Sequence, residues 1–135
     1  MQKYVLSVLS LLLFVTETEA QDFAVWNNNI LKLNNGLINR EIIIDNGIIR
    51  TKTLKITGSD INFNSENSKE FSLIIDGTQC DGQSGWDLIS IVSASDIRQG
   101  SGATVKLKGT NKYSRIEVDI TYLLYPDLPV IRKEI

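Results

Sequence analysis

The side chains that most enzymes use for acid–base and nucleophilic chemistry are scarce in this chain. Its 135 residues include no histidine and a single cysteine, Cys80. Without histidine there is no Ser-His-Asp or Cys-His catalysis, no histidine general base and no zinc site built on imidazole. One thiol forms no internal disulfide. Because no basic cluster stands near Cys80 in the sequence to favour a thiolate, we predict a small residue in a Gly/Asp-rich turn and not a reactive nucleophile.

Carboxylates are the remaining candidates for catalysis. The chain has 16 acidic residues, and a glycosidase needs two of them on either side of the glycosidic bond. Most stand where a turn or a solvated strand face explains them, and examples are Asp45, Asp76, Asp81, Glu117, Asp119 and Asp127. No run has the spacing of an EF-hand loop, although calcium binding by turn carboxylates stays open. The sequence therefore predicts no catalytic residue, no metal site and no cofactor in this chain.

Two tryptophans are the candidate ligand-binding residues. The apolar face of a sugar ring stacks on indole, while neighbouring amide or carboxylate groups bind its hydroxyls. Trp26 precedes three asparagines and Trp86 precedes an aspartate, so the predicted carbohydrate-binding residues are Trp26, Trp86 and Asp87. The alternative is that each indole fills one end of a hydrophobic core. Exposure of the two rings decides between these interpretations.

Charge and the amino-terminal segment bear on partners and location. The formal net charge is −2, so no basic surplus is present to neutralise phosphates and no nucleic-acid partner is expected. Lys3, an apolar run over residues 4–15 and a small residue at Ala20 are typical of a signal peptide over residues 1–20. The run is short for a membrane span, which makes a permanent anchor the lesser alternative. We expect a secreted or periplasmic protein with no membrane partner after cleavage.

The remaining residues, 21–135, are predicted to form one domain of strands and turns without a substantial helix. Asn35-Gly36 and Asn46-Gly47 stand where hairpin turns need positive φ. The Gly-rich residues 99–102 lack the pattern of a phosphate-binding loop and predict another hairpin turn. Strands are predicted at residues 30–33, 37–44, 48–49, 51–57, 61–64, 71–76, 87–94, 103–109, 113–125 and 130–135.

Alternation of apolar and polar residues sets the fold class. The longest predicted strand has an apolar face made of Ile116, Val118, Ile120, Tyr122 and Leu124. Glu117, Asp119 and Thr121 alternate with them on the other face, so one side of this strand faces a core and the other faces water. Many such strands at short turn spacings predict an all-β, antiparallel β-sandwich, with a closed barrel as the main rival. Because residues 130–135 start a strand that needs neighbours, we expect a sandwich cut short at its carboxyl end.

A resemblance to a known family is carried by three segments. They are Asn-Gly-Leu-Ile-Asn-Arg at residues 35–40, Lys-Glu-Phe-Ser-Leu-Ile-Ile-Asp-Gly at 69–77, and Tyr-Leu-Leu-Tyr-Pro-Asp-Leu-Pro-Val-Ile-Arg-Lys at 122–133. Together they resemble the amino-terminal β-sandwich of family-36 glycoside hydrolases, the bacterial α-galactosidases or melibiases. In that family, a strand ending in Tyr-Pro is followed by Leu-Pro-Val and a basic pair. The similarity extends over residues 35–135.

The resemblance implies a supersandwich that packs against a catalytic TIM barrel and helps to shape the mouth of its active site. Family members cleave α-galactosides with retention through two aspartates of the barrel, so none of these 135 positions is implied to be catalytic. We therefore expect a non-catalytic domain of a secreted α-galactosidase-like enzyme, with a barrel outside this chain as partner and galactoside-containing sugars as ligands. The alternatives are a free-standing carbohydrate-binding module and a structural or adhesion sandwich.

Overall fold

The computed structural model describes residues 22–64 and 68–135. In these ranges the chain is all-β, with ten strands and one short 3-10 helix, Asn111–Tyr113. The strands are β1 (Ala24–Asn27), β2 (Ile30–Asn34), β3 (Ile38–Asp45), β4 (Ile48–Ile56), β5 (Ser72–Ile75), β6 (Thr78–Asp81), β7 (Trp86–Ser95), β8 (Ser101–Gly109), β9 (Glu117–Tyr125) and β10 (Leu128–Glu134). The predicted signal peptide over residues 1–20 lies outside the described residues.

Two four-stranded antiparallel sheets form a β-sandwich, which confirms the predicted fold class. The first sheet has the strand order β1-β2-β3-β4, and the second has the order β10-β9-β8-β7. β1 packs over β8, and β3 packs over β10. The third sheet is the two-stranded hairpin β5-β6. Every pairing is antiparallel, and the strands of each sheet follow one another in the chain.

The core lies between the two large sheets, where the alternating apolar residues meet. Val118, Ile120, Tyr122 and Leu124 of β9 are all buried, as the alternation predicts, whereas Ile116 precedes the strand and is partly exposed. Leu31, Leu33, Ile42 and Ile49 supply the opposite sheet. These side chains interdigitate between two sheets, which is the usual core of a sandwich.

The predicted Asn-Gly turn between β3 and β4 is confirmed. Asn46 has φ 50° and Gly47 has φ 77°, so both central residues are left-handed, as a two-residue hairpin turn requires. The loop between β2 and β3 is different, since Gly36 has φ 85° while Asn35 is not left-handed. The Asn35 side chain instead accepts the backbone N–H groups of Leu37 and Ile38, each at 3.0 Å. The predicted turn before β8 is confirmed too, closed by the Asp96 N–H to Gly100 carbonyl bond of 3.0 Å.

The small β5-β6 hairpin is attached to the first sheet by the backbone that follows it. Gly82 accepts the Ile49 N–H at 2.7 Å and donates its own N–H to the Phe71 carbonyl at 3.3 Å. At the same end of the sandwich, the Trp86 N–H donates to the Gly47 carbonyl at 3.3 Å. These bonds bring residues 70–86 against β4, and this placement builds the site described below.

Several element predictions were wrong in detail. Residues 61–64 form no strand but run beside β4, where the Phe63 N–H donates to the Leu54 carbonyl at 2.8 Å. Residues 48–56 are one strand and not two, and β1 and β6 were not predicted. The 3-10 helix and a turn replace the first residues of the long strand predicted from residue 113. Cys80 lies in β6 and in the hydrophobic core, not in a turn.

Candidate functional site

A buried carboxylate lies between the two large sheets, where two cationic side chains pair with it. Glu70 has a side chain with no exposed surface, just before β5. Its partners come from four strands: Arg40 from β3, Thr51 from β4, Tyr122 from β9 and Lys133 from β10. We call these five residues the Glu70 cluster. It connects both sheets through one side chain.

The contacts in the Glu70 cluster use both carboxylate oxygens. Arg40 Nη2 lies 2.8 Å from Oε1 and 2.9 Å from Oε2. The Tyr122 hydroxyl donates to Oε2 at 2.7 Å, and Lys133 Nζ lies 3.1 Å from the same oxygen. The Thr51 hydroxyl donates to Oε1 and accepts from Arg40 Nε at 3.0 Å. Among the described residues, every buried side-chain nitrogen and oxygen has a partner.

The electrostatics keep Glu70 charged. Burial by itself would raise the pKa of this carboxyl, but the Arg40 charge, the Thr51 hydrogen bond, the Lys133 charge and the Tyr122 hydrogen bond outweigh it, so the pKa is lowered. The pKa of Tyr122 is raised well above its usual value, first by burial and then by the negative charge of Glu70. Tyr122 therefore stays a neutral donor and Glu70 an anionic acceptor.

The two cations of the cluster, Arg40 and Lys133, also lie close to the Tyr122 ring. Arg40 Cζ lies 5.3 Å and Lys133 Nζ 5.9 Å from the centre of the Tyr122 ring. Cations at this range are attracted to the negative face of an aromatic ring. A carboxylate held anionic with its oxygens occupied has no proton to give and no oxygen directed at a substrate. The Glu70 cluster is therefore suited to hold the two sheets together, and we call this role a clamp.

Trp86, one of the predicted sugar-binding residues, lies in the core. It is 3% exposed and its Nε1 donates to the Asp81 carbonyl at 2.7 Å. The Tyr113 ring stacks on it with centroids 5.7 Å apart, and the Phe71 ring meets it edge-on at 5.1 Å. Both ring faces are thus in contact with the protein or closed to solvent. The geometry favours the core interpretation of Trp86 and leaves no face for a sugar to stack on.

Trp26 is placed differently, at the open side of the sandwich. It lies on β1, is 37% exposed, and borders a cleft of about 140 Å³. The cleft is lined by residues of β1, β2, β7 and β8: Ala24, Trp26, Leu31, Ile91, Val92, Ser93, Gly102 and Ala103. We call it the Trp26 cleft. Trp86 and Asp87 do not line it, so the structure does not bring the three predicted carbohydrate-binding residues together.

Asp87 is exposed near the start of β7, where its register partner on β8 is Lys108. Within residues 22–64 and 68–135, no group of three or more Asp, Glu or Cys side chains is close enough to hold a metal ion. In the same ranges, no helix is long and apolar enough to cross a membrane. The candidate sites of the described chain are therefore the Glu70 cluster and the Trp26 cleft.

Sequence reasoning did not single out Glu70. Its neighbour Phe71 begins an apolar alternation, but nothing in a local pattern shows that a charged residue will be fully enclosed. The one available signal was indirect, because Arg40, Glu70, Tyr122 and Lys133 all lie within the three segments that carry the family resemblance.

The chain matches no protein-family model, no curated protein and no solved structure.

Proposed function

We propose that this chain is a non-catalytic β-sandwich domain of a secreted, α-galactosidase-like glycoside hydrolase, and that bond cleavage takes place on a separate barrel domain. The observation that carries the proposal is the convergence of the three resembling segments on one site. Arg40 ends the first segment, Glu70 lies in the second, and Tyr122 and Lys133 come from the third. Segments far apart in the chain meet in one hydrogen-bonded cluster.

This convergence supports the resemblance on physical grounds. A fully buried carboxylate is tolerated only if charged and hydrogen-bonding partners surround it. Such a residue and its partners form one unit, because loss of any member removes either a counter-charge or a hydrogen bond from the buried carboxylate. If the resembling residues were scattered over the surface, no physical dependence of this kind would link them.

The site chemistry supports a non-catalytic domain. A glycosidase uses two carboxyl groups, about 5–10 Å apart, on either side of the scissile bond. Among the described residues, Glu70 is the one acidic residue that is buried, and it is already paired with two cations. It lacks both the free proton of a general acid and the free oxygen of a nucleophile.

The test uses the purified chain and a chromogenic α-galactoside. We expect no turnover above a blank without protein. Mixed with a family-36 barrel expressed without its own sandwich, the chain is expected to co-elute with it on gel filtration. Turnover by the chain alone, or separate elution of the two proteins at micromolar concentration, contradicts the proposal.

A second candidate, a carbohydrate-binding module, is favoured by the Trp26 cleft. An indole beside an open cleft has an accessible apolar face for a pyranose ring, and the Ser93 hydroxyl lies on the same lining. Titration with galactose-containing oligosaccharides should change tryptophan fluorescence in the parent chain, and Trp26→Ala should abolish the change. If no sugar alters the fluorescence, or the response survives in Trp26→Ala, the module is excluded.

A further inference from the structure

The end strands of the two large sheets are protected against further pairing to very different degrees. A sheet edge exposes unpaired N–H and C=O groups, and proteins usually shield it by shortness, charge, proline or a covering segment. β1 is only four residues long. β4 is covered near its end by the Asn62 side chain and the Phe63 backbone, which bond to Leu54 at 2.9 and 2.8 Å. β10 contains Pro129 and three charged residues in succession.

β7 has much less protection. It is ten residues long, and β8 is its one partner among the described strands. Residues 88–95 contain no charge and no proline. A bulge interrupts the pairing with β8 between Leu88 and Ser90, but residues 90–95 are paired without a shift. This second half of β7 is therefore a regular, neutral edge of the kind to which another strand can add.

Side chains on both faces of β7 also lack complete cover. The Val92 side chain is 43% exposed and shares a face of the sheet with Thr104, its register partner on β8, while Val92 also borders the Trp26 cleft. On the inner face, Ile91 and Ser93 line the Trp26 cleft. Ser93 and Trp26 both line this cleft, and because the Ser93 side chain is small, space remains beside it for a larger apolar side chain.

We propose that β7 pairs with β7 of a second copy of this chain in antiparallel orientation, with Val92 on the two-fold axis. This register sets Val92 opposite the second Val92 and Ile91 opposite the Ser93 of the other copy. Each Ile91 then meets the small residue beside the other copy's cleft, and by symmetry both clefts are filled. Matched faces are preserved, since Ile91 and Ser93 both point inward.

Charge supports a second copy as the occupant. Residues 88–95 are neutral, so the antiparallel pair sets no like charges opposite one another, an arrangement that would be destabilising. An isologous contact of this kind closes on itself and leaves no β7 edge exposed for further growth. The four-stranded sheets of the two copies would join into one continuous sheet. This inference does not rest on the proposed function.

The oligomeric state is tested by sedimentation of the full chain over a concentration series. We expect a reversible monomer–dimer equilibrium, and Val92→Lys should weaken it at least about tenfold because two like charges then face each other on the axis. The matched control is Val130→Lys on β10, at the opposite end of the same sheet, where Val130 is 48% exposed. This control should leave the equilibrium unchanged. Circular dichroism verifies that both variants are folded.

A cysteine placed on the axis tests the register. Directly opposed residues in an antiparallel pair have Cα atoms about 4.5–5.5 Å apart, which a disulfide can span. Val92→Cys should therefore form a covalent dimer under mild oxidation, whereas Val130→Cys should not. A parent chain that is monomeric at all concentrations overturns the proposal. So does a dimer that Val130→Lys weakens and Val92→Lys does not, or one that Val92→Cys fails to cross-link.

Discussion

At the scale of single residues, Glu70 is a buried charged side chain that contacts both large sheets. It is enclosed by Arg40, Thr51, Tyr122 and Lys133, so one carboxylate touches both halves of the sandwich. A buried ion pair adds little net stability over a well-packed apolar core, but removal of one partner is costly. The Glu70 cluster therefore specifies how the sheets fit together more than it strengthens the core.

The first prediction concerns the loss of the Glu70 charge. Glu70→Gln keeps the shape of the side chain but leaves Arg40 and Lys133 without a buried counter-charge, so the free energy of unfolding should fall by roughly 3–5 kcal/mol. Urea denaturation measures this change. The control is Asp119→Asn, which breaks the exposed ion pair with Lys106 and should cost less than about 1 kcal/mol. Equal effects of the two substitutions would show that Glu70 is not a clamp.

The second prediction concerns pH. The pKa of Glu70 is lower in the folded chain than in the unfolded chain, so the folded state binds fewer protons at this group. Its contribution to stability is full above the unfolded pKa, near 4.3, and is lost as pH falls through the folded pKa. The difference in unfolding free energy between the parent and Glu70→Gln should therefore be constant at neutral pH and shrink in acid.

Denaturation at a series of pH values measures that difference. Asp81 and Asp96 also have lowered pKa values, but both are present in the two proteins, and their effects cancel in the comparison. A difference that stays constant down to acid pH, or grows there, would contradict the assignment of Glu70 as an anionic acceptor.

At the scale of elements, the attachment of the β5-β6 hairpin depends on one glycine. A Cβ built on Gly82 would lie 2.7 Å from the Ile49 carbonyl oxygen and 2.8 Å from Ile49 Cγ2. Both distances are too short for a real Cβ contact, and the carbonyl belongs to the backbone of β4, which cannot turn aside as a flexible side chain can. Gly82 is therefore a close-approach position between the small hairpin and β4.

The third prediction follows from this contact. Gly82→Ala should push the hairpin from β4 and lower the free energy of unfolding by about 2–3 kcal/mol, as overpacking does. The neighbouring exposed residue provides the control, since Gln83→Ala should change stability by less than about 0.5 kcal/mol. Thermal or urea denaturation of the two variants measures these changes in the free energy of unfolding. A Gly82→Ala variant as stable as Gln83→Ala would mean that the hairpin is not packed as described.

The elements that the sequence predicted best are those with a local signature. The apolar alternation of β9 and the Asn46-Gly47 turn each follow from a few adjacent residues, and both agree with the structure. β1 has no such signature, because it is four residues long and depends on pairing with β2. Residues 61–64 look like a strand in isolation, but they lie beside β4, where the Asn62 side chain accepts a hydrogen bond from the Leu54 N–H. No local pattern shows this bond.

The candidate sites were harder to predict than the fold. Trp26 and Trp86 have similar polar neighbours in the sequence, yet Trp26 borders a cleft and Trp86 is enclosed by aromatic rings. The Glu70 cluster joins Glu70 to partners up to 63 positions away along the chain. Burial of this kind is decided by how sheets and loops pack, and that information is not contained in any single segment.

At the scale of the whole molecule, the described residues form a two-sheet sandwich whose end strands are protected to different degrees. The two sheets enclose a core and a clamp, while the charged and polar groups suited to catalysis are scattered or already paired. Among the described residues, the one buried carboxylate is already paired with two cations, which agrees with the proposed role of a domain that works beside a catalytic partner. Leu128 and Val130 on β10 are exposed and available for such contacts.

Domain exchange tests this account most directly. The native amino-terminal sandwich of a family-36 α-galactosidase would be replaced by this chain, and kcat/KM measured on a chromogenic α-galactoside beside the native enzyme and the barrel alone. The account predicts that the exchanged enzyme retains activity within about tenfold of the native enzyme, while the barrel alone is inactive or insoluble. An exchanged enzyme no more active than the barrel alone, with this chain shown to be folded by circular dichroism, would contradict it.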